Sequence, residues 1–397
     1  MKHGSYGKHG RPASPYKGRG FSQQSPHHIS QEPVAPRSMQ TQPMVKKPKA
    51  KGLKKVAKVC LIVVAIVMLL MIGAGAFALH WISALDGSMN VGESEELNEV
   101  LKGPAKEEES AFYMLLLGSD AREGESYSRS DVNMLVRVDP EVGSVCLVSI
   151  PRDTMVDIPG YGTQKINAAY AFNGPVGAIT TVSDFAGVDI RHYAEIHFDE
   201  LIELVDLLGG VEVNVSEPMY SWTDGVEIPA GVQTLSGGQA LDYARDRHSM
   251  AGGDYSRAQA QRQIVEAILT KVTKMSVTEL PAFIEEAADC VSTDLSIKDL
   301  IGLGLKFNST GVNVYSSVCP SYSFMQDGVS YTGTMYNEWK TLMQRMDAGL
   351  DPEDETATIP DEQLNNERLG SAENAMSPRD YDPENAGLTT DDVIKVD

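Results

Sequence analysis

The longest uninterrupted apolar stretch runs from Val59 to Leu79, twenty-one residues without a charge. At about 1.5 Å of helical rise per residue, such a run spans a hydrocarbon core. Lys46, Lys47, Lys49, Lys51, Lys54, Lys55 and Lys58 crowd its N-terminal side. The positive-inside rule therefore places residues 1–58 in the cytoplasm and everything after Leu79 outside. Trp81 suits an interfacial anchor. Ala74, Ala76 and Ala78 offer small-residue cleavage patterns, but the apolar run exceeds a usual signal core and its head is far too long. The segment reads as a retained anchor.

Beyond it, residues 83–110 are polar and acidic, a linker. Phe112–Leu117, Val132–Val138 and Ser144–Ile150 are short apolar runs bounded by turn residues, as buried strands are. Within Phe198–Leu208, Glu200, Glu203 and Asp206 recur every third position, one polar stripe on a largely buried helix. Gly209 and Gly210 stop it, and Val211–Val215 alternates like a strand. Ser256–Met275 predicts an amphipathic helix with Ile264, Val265, Ile268, Leu269 and Val272 on one face, and Val277–Ala287 another helix. The pattern predicts one α/β domain over residues 111–345. Residues 1–58 and the acidic tail 347–397 lack apolar periodicity and are expected to be disordered.

Charge sharpens this division. Residues 1–58 carry thirteen Lys or Arg and one acid; the remainder carries twenty-one bases against fifty-four acids, a net of −33. Such a body repels nucleic acid, so DNA binding is left to the head alone. Cys60, Cys146, Cys290 and Cys319 form no CxxC pair or zinc spacing. Cys290 and Cys319 can be a disulfide pair in an exported domain or simply small buried hydrophobes.

The domain's basic residues are scarce, and their placement points to chemistry. None lies between His192 and Ala244; then Arg245, Arg247, Arg257 and Arg262 follow within eighteen residues. If Ala244–His248 is extended, Arg245 and Arg247 share a side, while Arg257 and Gln261 share a helix face. Converging arginines suit phosphate oxygens; salt bridges to nearby acids are the plainer alternative. Asp120 ends the first strand and Asp131 begins the second. Two carboxylates there suit a hard cation such as Mg²⁺, although solvated loop acids give the same pattern. Arg152-Asp153 closes the third strand, and Lys165 precedes the next helix.

The ordered run GSD, RSD, SIPRDT, KIN, HFD, LLGGVEV, LSGGQAL, ARDRH and GDYSR, across residues 112–271, resembles the LytR-CpsA-Psr family. That resemblance implies a mixed central sheet flanked by helices, preceded by one transmembrane helix. It implies a membrane enzyme, a phosphotransferase that moves a glycopolymer such as teichoic acid or capsule from a polyprenyl pyrophosphate carrier to peptidoglycan. Asp120 and Asp131 would hold Mg²⁺ (or Mn²⁺). Arg152, Arg245, Arg247 and Arg257 would clamp the phosphates, with Gln261 assisting and Arg122 and Lys165 as further contacts. Asp153 and Asp199 fall in family motifs, either in the chemistry or orienting arginines and capping a helix. Where many relatives have Arg before the glutamine matching Gln261, this chain has Ala260, with Arg262 after it. The rival readings are a membrane-bound transcriptional regulator and a non-catalytic scaffold that binds lipid or wall. The −33 balance and the apolar run oppose the first; single-turnover transfer separates the second.

The topology has a direct test. Protease added to intact, wall-stripped cells is expected to digest the domain after about Met89. A protected domain with an accessible head would reverse the orientation.

Overall fold

The computed structural model describes residues 95–101, 111–119, 128–246, 249, 252–380 and 389–390. The head over 1–58, the anchor over 59–79 and most of the linker lie outside the described residues. Among the described residues, no helix is long and apolar enough to cross a membrane.

Helix α1 (Glu95–Val100) precedes a meander of β1 (Phe112–Ser119), β2 (Ser130–Asp139) and β3 (Ser144–Ser149). The hairpin β4 (Met155–Ile158) and β5 (Gly162–Lys165) leads into α2 (Ala168–Ala186), kinked at Asn173-Gly174 ahead of Pro175. Next come β6 (Ile190–His197) and α3 (Phe198–Leu207). Gly209 and Gly210 both take positive φ, 72° and 86°, which is how the pair ends that helix. Strands β7 (Val211–Val215), β8 (Met219–Ser221), β9 (Val226–Ile228) and β10 (Gly231–Leu235) form two small ladders, β7 with β10 and β8 with β9. Helices α4 (Gly237–Arg245), α5 (Asp254–Thr273) and α6 (Leu280–Ala287) follow, then β11 (Ser292–Thr293) and α7 (Ile297–Thr310). The described chain closes with β12 (Asn313–Val318), β13 (Ser321–Gln326), β14 (Val329–Thr334), α8 (Tyr336–Asp347) and the short α9 (Asp361–Leu364).

Six strands build the central sheet in the order β11-β6-β1-β2-β3-β12. Strand β1 runs parallel to β6 and antiparallel to β2, while β3 runs parallel to β12, so the sheet is mixed. Leu115, Leu117, Leu135 and Val148 face α2 and α8, meeting Phe185 and Trp339. Met134, Val136 and Leu147 face the other way, onto Phe307 of α7 and Val265 and Leu269 of α5. Both faces are covered, which is why β3 is buried at every position. A separate core joins β7 and β10 to α3, α4 and α5. The α5 face read from sequence is divided between these cores: Ile264 joins the β7–β10 core, and Val265 and Leu269 join the sheet.

One expectation needs correction, and one open alternative is settled. The segment expected to be a disordered tail continues the fold as far as residue 380, because Leu369, Ala372 and Ala375 are buried in the main core. Its backbone is tied in as well: Gly370 N donates to Ala186 O at 2.8 Å and Met376 N to Met155 O at 3.0 Å. Cys146, Cys290 and Cys319 are free and buried, so the reading as small hydrophobes holds and the Cys290–Cys319 bridge does not form.

Leu369→Ala is expected to cost about 2–5 kcal/mol, read as a lower urea midpoint at unchanged slope. A change within about 0.5 kcal/mol would return the segment to the surface.

Candidate active site

The carboxyl ends of β1, β6, β3 and β12 all lie at one edge of the sheet, where the start of β2 also sits. Loops at such an edge carry the sequence motifs. Gly118 opposes Val132 and Ser119 opposes Ser130, so Asp131 is the extra residue of a β-bulge. A Cβ on Gly118 would stand 2.8 Å from Val132 Cγ2, which explains the glycine of the GSD motif at this tight crossing.

Beside the bulge is a cavity of 160 Å³ lined by Asp131, Arg152, Asp153, Asp254, Arg257 and Gln261, with Tyr331 among its other walls. Arg152 comes from the loop after β3, and its Nη1 donates to Asp131 Oδ1 at 2.6 Å. Its Nε lies 3.5 Å from Asp254 Oδ2 and 4.0 Å from Asp153 Oδ1. Burial works against the Arg152 charge, but Asp254, Asp131 and Asp153 outweigh it and raise the pKa. Arg257, from the first turns of α5, places Nη2 at 2.7 Å from Asp254 Oδ1 and is only 4% exposed. Asp254 thus joins two arginines of different elements.

The remaining candidates divide. Lys165 pairs with Asp153 of the cavity lining at 3.1 Å. Gln261 lines the cavity, yet its Nε2 donates to Ala244 O at 3.1 Å and so secures the last turn of α4. Arg245 corrects the extended reading: Ala244 and Arg245 are helical, and the chain becomes extended at Asp246. The Arg245 guanidinium stands 4.9 Å above the Phe198 ring, near the end of β6 and apart from this cavity's lining. Asp199 is exposed in the first turn of α3, a position that favours a carboxylate at the helix N-terminus. Asp120, Arg122 and Arg247 lie outside the described residues.

The donor chemistry of Asp131 suits a hard divalent cation, with one oxygen already engaged by Arg152. Among the described residues, no group of three or more His, Cys, Asp or Glu could hold a metal ion. Only one of the two expected carboxylates is therefore in view.

Sequence reasoning missed three features. Asp254 stands in the GDYSR motif, and its i, i+3 spacing to Arg257 was the available signal. The β13–β14 hairpin supplies Ser323, Ser330, Tyr331 and Thr332 to the cavity, and no periodicity marks them. Next to the end of β1, buried Glu195 accepts from Tyr170 and from Ser119 Oγ, which also meets His197 Nδ1 at 2.8 Å. Burial, then Glu195, pushes the Tyr170 phenol upward.

Comparison with known proteins gives this geometry a lineage. Residues 83–348 match the LytR_cpsA_psr family. The chain belongs to the LytR-CpsA-Psr family. The polyisoprenyl-teichoic acid–peptidoglycan teichoic acid transferase TagU of Enterococcus faecalis is 33% identical over 299 residues, covering 74% of this chain and 96% of TagU. A solved structure named as a transcriptional regulator, also from Enterococcus faecalis, has a TM-score of 0.54 at 31% identity, over 62% of this chain and 90% of that one. The structure of TagT bound to LIIa-WTA has a TM-score of 0.50 at 30% identity, over 58% of this chain and 88% of that one. The departure from the LytR-CpsA-Psr pattern at Ala260 now has a physical setting: Ala260 is fully buried in the β7–β10 core. Arg262 does not replace the absent arginine, since it does not line the cavity. It is 6% exposed, and burial lowers its pKa to about 10, with Glu266 and Glu353 opposing.

Asp254→Ala and Arg152→Ala are expected to be non-additive in stability by about 0.5–3 kcal/mol in a double-mutant cycle. Additivity within about 0.3 kcal/mol would remove the bridge.

Proposed function

We propose that this chain is a membrane-anchored phosphotransferase that moves a glycopolymer from a polyprenyl pyrophosphate carrier to peptidoglycan outside the membrane. One observation carries the reading: Arg152 and Arg257 converge on one cavity at the carboxyl edge of the sheet, held by a shared carboxylate. Paired guanidiniums in a partly desolvated cavity fit the oxygens of a pyrophosphate. The name of TagU supports teichoic acid as polymer and peptidoglycan as acceptor. TagT bound to LIIa-WTA supports a related ligand on the same fold. The lysines before the apolar run support the outward orientation. The relative named as a transcriptional regulator shares this fold, but a domain so acidic is a poor partner for DNA.

In the reaction, an acceptor hydroxyl oxygen attacks the phosphorus that bears the glycopolymer. A new P–O bond forms, the bond to the bridging oxygen breaks, and polyprenyl phosphate leaves. Arg152 and Arg257 neutralise charge on the phosphate oxygens, the main demand of phosphoryl transfer. Arg245 would extend the clamp toward the end of β6, Arg247 would join the phosphate contacts, and Asp120 and Asp131 would hold Mg²⁺. That cation, when bound, supplies positive charge against the departing phosphate. The hydroxyl proton needs an acceptor. The His197 imidazole, whose Nδ1 meets Ser119 Oγ at 2.8 Å, stands at this edge of the sheet and could take it.

Transfer from a defined polyprenyl pyrophosphate donor is the test. Arg152→Ala and Arg257→Ala are each expected to lose about 2–4 kcal/mol of transition-state stabilisation, roughly 30- to 1,000-fold in rate. Lysine should not rescue either, and the double variant should be little worse than the worse single. Excess EDTA and Asp131→Ala should each abolish transfer while melting is preserved. Near-wild-type rates in the arginine singles would sink the clamp, and full activity in EDTA would sink the cation.

A further inference from the structure

Away from the cavity, the β8–β9 hairpin carries two exposed aromatic rings. Trp222 is 83% exposed and Tyr220 41%, with ring centroids 4.8 Å apart at 69°. Burial alternates along β8: Met219 and Ser221 point inward, so Tyr220 and Trp222 face solvent together. Tyr220 opposes Glu227 on β9, which puts a carboxylate beside the rings.

An exposed tryptophan on a mobile loop would mean little, but this turn is pinned. Asp242 of α4 accepts from Ser221 Oγ at 2.7 Å and from Thr223 N at 2.8 Å. Asp224 N donates to Ser221 Oγ at 3.1 Å, and Asp224 Oδ2 accepts from Ser236 Oγ at 2.6 Å. A Cβ on Gly238 would come 2.4 Å from Asp224 Oδ1, so the turn is pressed against the start of α4. Trp222 is therefore held outward between residues that are bonded on both sides. Large rigid rings offered at low entropic cost are the makings of a binding surface.

Charge selects the occupant. The hairpin region carries Glu217, Asp224 and Glu227, and no Lys or Arg lies between His192 and Ala244. An anionic membrane surface attracts basic segments, so this one is repelled. A phosphate-bearing polymer is repelled for the same reason. The uncharged sugar rings of a glycan backbone are not: their C–H faces stack on aromatic rings and their hydroxyls donate to carboxylates. Asp242 lies three residues before Arg245 on α4, which ties the hairpin to the element reaching the end of β6. We infer that Tyr220, Trp222 and Glu227 form a docking surface for the glycan strand of the peptidoglycan acceptor. The inference rests on the transferase reading for its purpose, though not for its binding.

The experiment uses the full chain in nanodiscs of zwitterionic lipid, with soluble uncrosslinked peptidoglycan strands as probe. Binding is followed by calorimetry and transfer by kinetics. Trp222→Ala is expected to weaken glycan binding at least tenfold and to raise the acceptor KM similarly, with kcat and donor KM unchanged. Trp222→Phe should keep most of the affinity, and Glu227→Gln should lose part of it. Equal glycan affinity and acceptor KM in Trp222→Ala would overturn the inference. So would loss of binding to anionic vesicles with glycan affinity intact, which assigns the rings to a membrane. A wild-type chain that binds strands but transfers nothing would overturn the transferase reading alone.

Discussion

Two guanidiniums in one small cavity repel each other, and an anion between them offsets that repulsion. At about 4 Å, like charges near a protein surface repel by about 4 kcal/mol at an effective dielectric of 20. Asp254 resolves this for Arg152 and Arg257, one oxygen toward each. The consequence is wider than a salt bridge, because the two arginines belong to different layers. Arg152 is held by the end of β3 and Arg257 by α5, so the carboxylate couples the sheet to the helix that covers it.

The sheet makes that convergence possible. With β1 parallel to β6 and β3 parallel to β12, their carboxyl ends and the start of β2 meet at one edge. The bulge at Asp131 then turns a single strand residue out of register toward Arg152. Gln261 contributes indirectly, through the carbonyl that ends α4, and α4 in turn holds the aromatic hairpin through Asp242. Cavity and hairpin thus hang on the same short helix.

Much of this was legible in the residues. Apolar runs with period two or none located β1, β2 and β3, and the three-residue recurrence of acids located α3 with its Gly-Gly stop. Asp131, Arg152, Arg257 and Gln261, chosen from motif positions, line one cavity. Arg245 was misplaced because helix α4 takes in Ala244 and Arg245, the first two residues of the stretch read as extended, and helical rather than alternating geometry then decides which way the side chain points. The contribution of hairpin β13–β14 was missed because Ser323, Ser330 and Thr332 line the cavity through small polar groups that leave no hydrophobic signature. The tail was misread for a related reason. Its attachment rests on Leu369, two alanines and backbone hydrogen bonds, which composition does not register.

The free cysteines have a consequence for how the protein is made. Burial pushes the Cys146 thiol up to about 12 and that of Cys290 up to about 11, and holds Cys319 well above its ordinary range. Thiolate is the reactive form, so burial in the folded domain lowers the reactivity of these sulfurs at neutral pH. The native fold of the described domain therefore requires no disulfide among these three cysteines. Once folded, the described domain carries no bond among these three cysteines for a reductant to break.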